Sequence, residues 1–312
     1  EDAIAASRTG VDSLFSRWPL TTNVRNGTQR PEAAGRVAFL VRTCRPTDAM
    51  LGRIAQWALE LGPEVDFFVS VDETTKAARS TAPRLQALCR ERGLAEGRVR
   101  VHRFTEAELF VAYPAVLELR KNLPDRLRRF DSMSWACYSE SLGIWLRWLE
   151  RPGAYAFVWV LEDDVGFSGR MDELVAAYAA DPHDLISADP SDPNSATGVH
   201  KSTPGWYWYK VTTAAYKARV PPERRLHTAV IVQRFSMQLL EEMERWCRDN
   251  VSAFSEQLVP TVANESGMTF RGYRAEHIGK QFRAGERVKK ADWEKILSRA
   301  ESPGRMYHAL KF

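Results

Sequence analysis

The stretch Phe157-Val158-Trp159-Val160-Leu161, running straight into Glu162-Asp163-Asp164, constrains this chain more than any other. Uncharged β-branched and aromatic residues in succession read as a strand buried on both faces, and three consecutive carboxylates end it. Like charges gathered in one place raise one another's pKa unless a cation holds them ionised, and an oxygen-only cluster suits a hard divalent metal. Gly166 and Gly169 follow in a loop before a helix near Met171. In open α/β sheets ligands collect beyond the carboxyl ends of the strands, where this acidic step falls. The same acids also suit a turn capping the next helix, since Asp and Glu favour helix N-termini.

The preceding chain alternates strand and helix. Residues 36–41 predict a strand leading into Arg42-Thr43-Cys44-Arg45, and apolar spacing at Met50, Ile54, Trp57, Ala58 and Leu61 predicts a helix closed by Gly62-Pro63. A strand over 65–71 stops at Asp72-Glu73, a helix covers 83–92 and a third strand 99–104. This order predicts a doubly wound α/β sheet with right-handed crossovers. Prolines at Pro114 and Pro124 blur 109–125, and 131–150 reads as one long amphipathic helix. Beyond the acidic step, 174–178 is helical, 184–188 a short strand and 190–198 a loop or lid. Trp206-Tyr207-Trp208-Tyr209 alternates as a strand would. A strand over 227–233, a helix over 237–247, a helical or extended piece at 258–263, a strand-like 269–277 and a basic loop complete the order. Residues 1–34 lack sustained periodicity, apart from a possible amphipathic turn over 11–18, and read as a stem or peripheral wrap ahead of one domain over 35–312.

Net charge is +4 with both signs interspersed, which excludes a nucleic-acid stripe and favours an anionic small ligand. Cys44, Cys89, Cys137 and Cys247 are far apart without CxxC spacing, so buried thiols are the default and a zinc site is disfavoured, although one or two disulfides remain compatible. Asn26, Asn250 and Asn264 begin Asn-x-Ser/Thr sequons, a lean toward a secretory compartment shared with chance matches. No stretch is long and apolar enough to span a bilayer, and a chain that starts at Glu1 leaves room for an anchor upstream.

With Glu162-Asp163-Asp164 at a strand end, the chain resembles the GT-A glycosyltransferases, whose acidic DxD motif carries the metal that binds a nucleotide-sugar diphosphate. Glu162 departs from the motif's first Asp. The resemblance implies a Rossmann-like doubly wound mixed sheet with helices on both faces, a donor half over about 35–165 and an acceptor half over about 166–312. It implies Mn2+ or Mg2+ at Asp164 and Glu162, a donor such as a UDP-sugar, and a saccharide or glycoprotein acceptor in the Golgi lumen or another secretory compartment. By position it places Arg42, Thr43 and Asp163 at the nucleotide and Asp72 at the base, although Asp72 equally suits a turn. It also assigns His308 as a further metal ligand and Lys311 to the diphosphate, with Ala309 where a proline is common. A solvated tail is the plainer reading of that segment, and His277 is the competing histidine.

An inverting transfer needs a carboxylate to take the acceptor's proton, and Glu256, at a predicted helix start, is the first candidate, with Asp189 second. Glu256 equally suits capping, and a retaining enzyme needs neither as base. Trp206 and Trp208 suit stacking on an acceptor glycan, or a buried aromatic strand. Two rivals stay open. A sugar-nucleotide pyrophosphorylase or other nucleotidyltransferase would carry a glycine-rich loop after the first strand, which Thr43-Cys44-Arg45-Pro46 lacks. A non-catalytic calcium-dependent carbohydrate-binding protein would bind glycan without nucleotide.

Overall fold

Alternation along the strands sets the two faces of the sheet. In β1 (Arg36–Thr43), Ala38 and Leu40 enter one apolar layer while Phe39 and Val41 enter the other. The computed structural model describes residues 35–125, 133–189, 192, 194–282, 287–299 and 303–312. The expected stem 1–34, with its turn at 11–18 and its sequon at Asn26, lies outside the described residues, as do the arginines at 126–129, Pro190, Ser191, Pro193 and the start of the basic loop.

β2 (Val65–Asp72) and β3 (Val99–Phe104) extend the sheet on one side of β1, and β4 (Tyr155–Glu162) pairs with β1 on the other, all parallel. β5 (Gly166–Phe167) belongs to a second, smaller sheet. β6 (Leu185–Ala188), the short pair β7 (His200–Lys201) and β8 (Leu226–His227), then β9 (Ala229–Ser236) and β10 (Phe270–Gly272) follow. The main sheet runs β10-β6-β9-β4-β1-β2-β3, with β9 antiparallel to β4 and β6. One face packs on helices Tyr138–Trp148, Met237–Arg248 and Ser255–Glu265, the other on Asp48–Glu60, Thr81–Glu91 and Met171–Ala177. The doubly wound mixed α/β sheet with helices on both faces that the sequence leads one to expect is the one observed. Because the chain leaves β1 toward β2 and returns on its other side at β4, the strand order switches between β1 and β4. The register Arg42↔Glu162 sets their carboxyl ends side by side at this crevice.

The C-terminal segment closes over that crevice. β11 (Ile278–Phe282) pairs with β12 (Met306–His308), which lies antiparallel to β5 with Tyr307 opposite Gly166. The solvated-tail reading is therefore overturned. Leu310 is fully buried, its N–H donates to the Asp164 carbonyl at 2.7 Å, and Arg53 donates to the Asp163 and Leu310 carbonyls at 3.3 and 3.2 Å. Close approach demands glycine here. A Cβ on Gly169 would lie 2.9 Å from the Gly304 Cα, and one on Gly304 would collide with the backbone of Gly169. Gly304→Ala should cost about 1–3 kcal/mol by forcing this contact apart. Urea unfolding checks it, and unchanged stability would mean the contact can relax freely.

Several expectations need correcting. The loop expected at Gly166 contains β5. The helix expected over 131–150 begins only at Tyr138, because residues 133–137 form turns held by Ser255 donating to the Ala136 carbonyl. Trp206–Tyr209 is a run of turns after Pro204-Gly205, with Trp206 N–H bonded to the Thr203 carbonyl at 2.9 Å, so the alternating-strand reading fails. The segment 258–263 is helical, and the basic loop leads to an unexpected helix, Lys290–Leu297. The default expectation for the cysteines holds, since all four are free thiols and Cys89, Cys137 and Cys247 are buried.

Candidate functional site

Glu162 ends β4, and a turn closed by Val165 N–H on the Glu162 carbonyl carries Asp163 and Asp164. β12 delivers His308 to the same spot. Its Nε2 is 3.3 Å from Asp164 Oδ1 and 3.6 Å from Glu162 Oε2, and Lys311 Nζ is 3.4 Å from Asp164 Oδ2. Glu162, Asp164 and His308 thus offer three ligand atoms within 4.8 Å of one another. Burial alone would lower the His308 pKa, but the Asp164 and Glu162 carboxylates outweigh it and raise it to about 9. Burial pushes Asp164 upward, yet His308 and Lys311 hold it below its ordinary value. Asp163 differs. Burial first, then the charges of Asp164 and Glu162, raise it to about 7 against the opposing hydrogen bond from the Thr43 hydroxyl. His277 has no part here, since it is buried with Nδ1 2.9 Å from the Tyr178 hydroxyl.

A cleft of about 180 Å³ runs from this acidic step past the ends of β1 and β2, and Arg42, Thr43, Asp72 and Asp163 all line it. Asp72 sits in the turn expected of it and also lines the cleft. It accepts from Thr74 N–H at 2.9 Å as a turn residue and from the Ser134 hydroxyl at 2.6 Å, while facing the cleft. Arg42 braces the wall, donating through Nη2 to the Ser134 carbonyl at 2.8 Å and to Ser141 Oγ at 2.9 Å, and lying 4.2 Å over the Tyr138 ring. Cys44, Ser70 and Ser134 also line it, as do the aromatic rings of Phe104 and Trp135. Sequence reasoning missed both, and Trp135 was hidden inside the overlong helix. The signal was the Ser132-Met133-Ser134 run, whose serines favour turns over helix interior.

Glu256 is the second residue of helix Ser255–Glu265. Its carboxyl makes no capping hydrogen bond among the described residues, although it lies in the first turn, where an acid suits the helix N-terminus. Burial and then the charge of Glu162 raise it to about 8, so it shares the electrostatic environment of the acidic step. Asp189, at the end of β6, is occupied instead. It accepts from Asp192 N–H at 3.2 Å and lies 3.4 Å from His200 Nδ1. Trp206 stacks on His227 with centroids 4.4 Å apart, and Trp208 on Phe254 at 4.2 Å, just ahead of the helix that carries Glu256. The structure thus groups Glu162, Asp164, His308 and Lys311 at one point. Arg42, Thr43, Asp72 and Asp163 line the adjoining cleft, and Trp206 and Trp208 flank the Glu256 helix.

No protein-family model matches the chain, and no curated protein matches it. Among solved structures, mouse xyloside xylosyltransferase 1 in its apo form is similar over 88% of this chain and 97% of its own, at 14% identity and a TM-score of 0.44. The 4-diphosphocytidyl-2C-methyl-D-erythritol synthase of Anaerococcus prevotii DSM 20548 is similar over 85% and 96%, at 8% identity and a TM-score of 0.42.

Proposed function

We propose that this chain is a divalent-metal-dependent glycosyltransferase that moves a sugar from a nucleotide-diphospho-sugar, such as a UDP-sugar, to a saccharide or glycoprotein acceptor with inversion. The observation that carries this reading is the convergence of Glu162, Asp164 and His308 at the β1/β4 switch point, beside a cleft that reaches Asp72.

The residues fit a metal. His308 Nδ1 is buried without a hydrogen-bond partner among the described residues, Asp164 Oδ1 faces His308 Nε2 at 3.3 Å without a well-formed hydrogen bond, and a donor set of two carboxylates with one imidazole suits Mn2+ better than Mg2+ or Ca2+, both of which favour oxygen alone. Glu162, Asp164 and His308 would hold the ion, which when bound supplies positive charge against the diphosphate as the nucleotide leaves. Lys311, half-exposed, supports the same phosphate charge. Asp72, on the cleft wall, is a carboxylate of the kind that accepts from a base N–H. Glu256 takes the proton of the attacking hydroxyl, and Trp206 and Trp208 seat the acceptor. Asn250 is exposed, although Val251 and Ser252 of its sequon are buried, and it is compatible with a Golgi or other secretory location. The nucleotidyltransferase alternative is disfavoured by the absence of glycine in 43–46, on the wall of the cleft.

Calorimetry with UDP and GDP tests the reading. Binding strengthened by Mn2+ is expected, and equal binding with chelator present would contradict it. Metal binding should also release the His308 proton. Because that imidazole is held protonated up to about pH 9, Mn2+ affinity should rise by about tenfold per pH unit between pH 6 and 8. A flat profile would remove His308 from the ligand set.

A further inference from the structure

Residues 199–225 carry six lysines and arginines against one carboxylate, Glu223, a local excess larger than the +4 of the whole chain. The arginines are engaged. Arg224 pairs with Glu265 at 2.8 Å, Arg225 donates to the Val220 carbonyl at 2.9 Å, and Arg219 lies 3.9 Å over Trp246. Lys201 and Lys210 are exposed, and their ammonium groups have no partner among the described residues. They bracket the aromatic turn. Lys201 ends β7, whose partner β8 holds His227 beneath Trp206, and Lys210 follows Tyr209 at the close of the turn. His227 is 3% exposed with an unpartnered Nδ1, and its neighbour His200 is half-exposed. Tyr207 stands 49% exposed. The nearby acids are Asp189, buried and already engaged, and Asp192, exposed. The turn also adjoins the proposed base, because Thr228, next to His227, donates its N–H to the Glu256 carbonyl at 2.9 Å.

We propose that this basic aromatic turn is the acceptor-binding face, and that the acceptor is an anionic saccharide bearing carboxylate or sulfate groups; this rests on the glycosyl-transfer reading above. The half-buried rings of Trp206 and Trp208, each with one face stacked on His227 or Phe254, and the exposed Tyr207 ring set edge-to-face against Trp208 give a rigid aromatic patch for the apolar C–H faces of a sugar. Lys201 and Lys210 supply the charge that a neutral glycan leaves uncomplemented. An acidic peptide would use the lysines but has no ring face to lay on the indoles.

Tryptophan fluorescence and calorimetry with polygalacturonate, chondroitin sulfate, neutral laminarin and polyglutamate separate the cases. At low salt the two anionic polysaccharides should bind at least about tenfold more tightly than laminarin, and K201A/K210A should remove about that factor. Polygalacturonate against chondroitin sulfate distinguishes carboxylate from sulfate as the recognised anion. The control K289A/K290A, altering two exposed lysines elsewhere, should leave binding nearly unchanged. Laminarin binding as tightly, polyglutamate matching the polysaccharides, or equal losses in the two double variants would overturn the proposal. Nucleotide calorimetry on the same samples tells the failures apart. Metal-enhanced nucleotide binding without anionic preference sinks this inference alone, whereas no metal-enhanced nucleotide binding sinks the reading beneath it.

Discussion

Asp164→Asn is expected to abolish sugar transfer and donor hydrolysis while leaving the protein folded. The substitution keeps the shape of the side chain and the backbone bond from Leu310 to the Asp164 carbonyl, so the C-terminal segment stays docked. What it removes is the charge that His308 and Lys311 face at 3.3 and 3.4 Å. Even groups that only orient a metal ligand typically contribute 10- to 100-fold in affinity, so loss of a ligand itself should weaken Mn2+ by about 100-fold or more. Metal titration with circular dichroism on the same sample checks both halves. Folded protein with wild-type turnover would remove Asp164 from the metal site.

Glu256→Gln should act at a different step. Donor and metal binding should stay near wild type, because Glu256 is neither one of the three grouped ligands nor among the residues lining the cleft. Transfer should fall by about 100- to 10,000-fold, the usual contribution of a positioned general base. In the free enzyme the carboxyl is raised to about 8, so it is protonated below that pH and ionised above it. A base works ionised, so kcat/KM of the native enzyme should climb as pH rises toward 8, and the variant should lose that limb. Near-normal transfer would place the base elsewhere, with Asp189 next, or indicate a mechanism that retains configuration.

How much of this was visible in the sequence depends on how local each determinant is. β4 and its acidic end were legible because an uncharged apolar run is a pattern within one segment, and the βαβαβ order before it repeats such patterns. His308 and Lys311 were visible as residue types. Their convergence on Asp164 depends on β12 pairing with β5 across more than a hundred residues, and on the Gly169–Gly304 contact that permits it. Trp135 was lost for a related reason. The apolar spacing of 131–150 suits one helix, yet Ser134 is drawn away by Asp72 and Arg42, partners that lie on other strands. At 206–209 aromatic alternation suggested a strand, and Pro204-Gly205 decided for turns. Glu256 shows the reverse case. Its type and position suited capping equally well, and the absence of a hydrogen bond to its carboxyl among the described residues, with the charge of Glu162 nearby, favours a chemical role.

The central claim is that a divalent ion sits where β4 ends and meets the diphosphate of an activated sugar. Anomalous diffraction at the manganese edge, from crystals grown with Mn2+ and UDP, tests it most directly. The account predicts one strong peak at roughly 2.0–2.3 Å from oxygens of Glu162 and Asp164 and a nitrogen of His308, with nucleotide phosphate beside it. A nucleotide seated in the cleft with no peak there, and His308 still paired with Asp164, would contradict it.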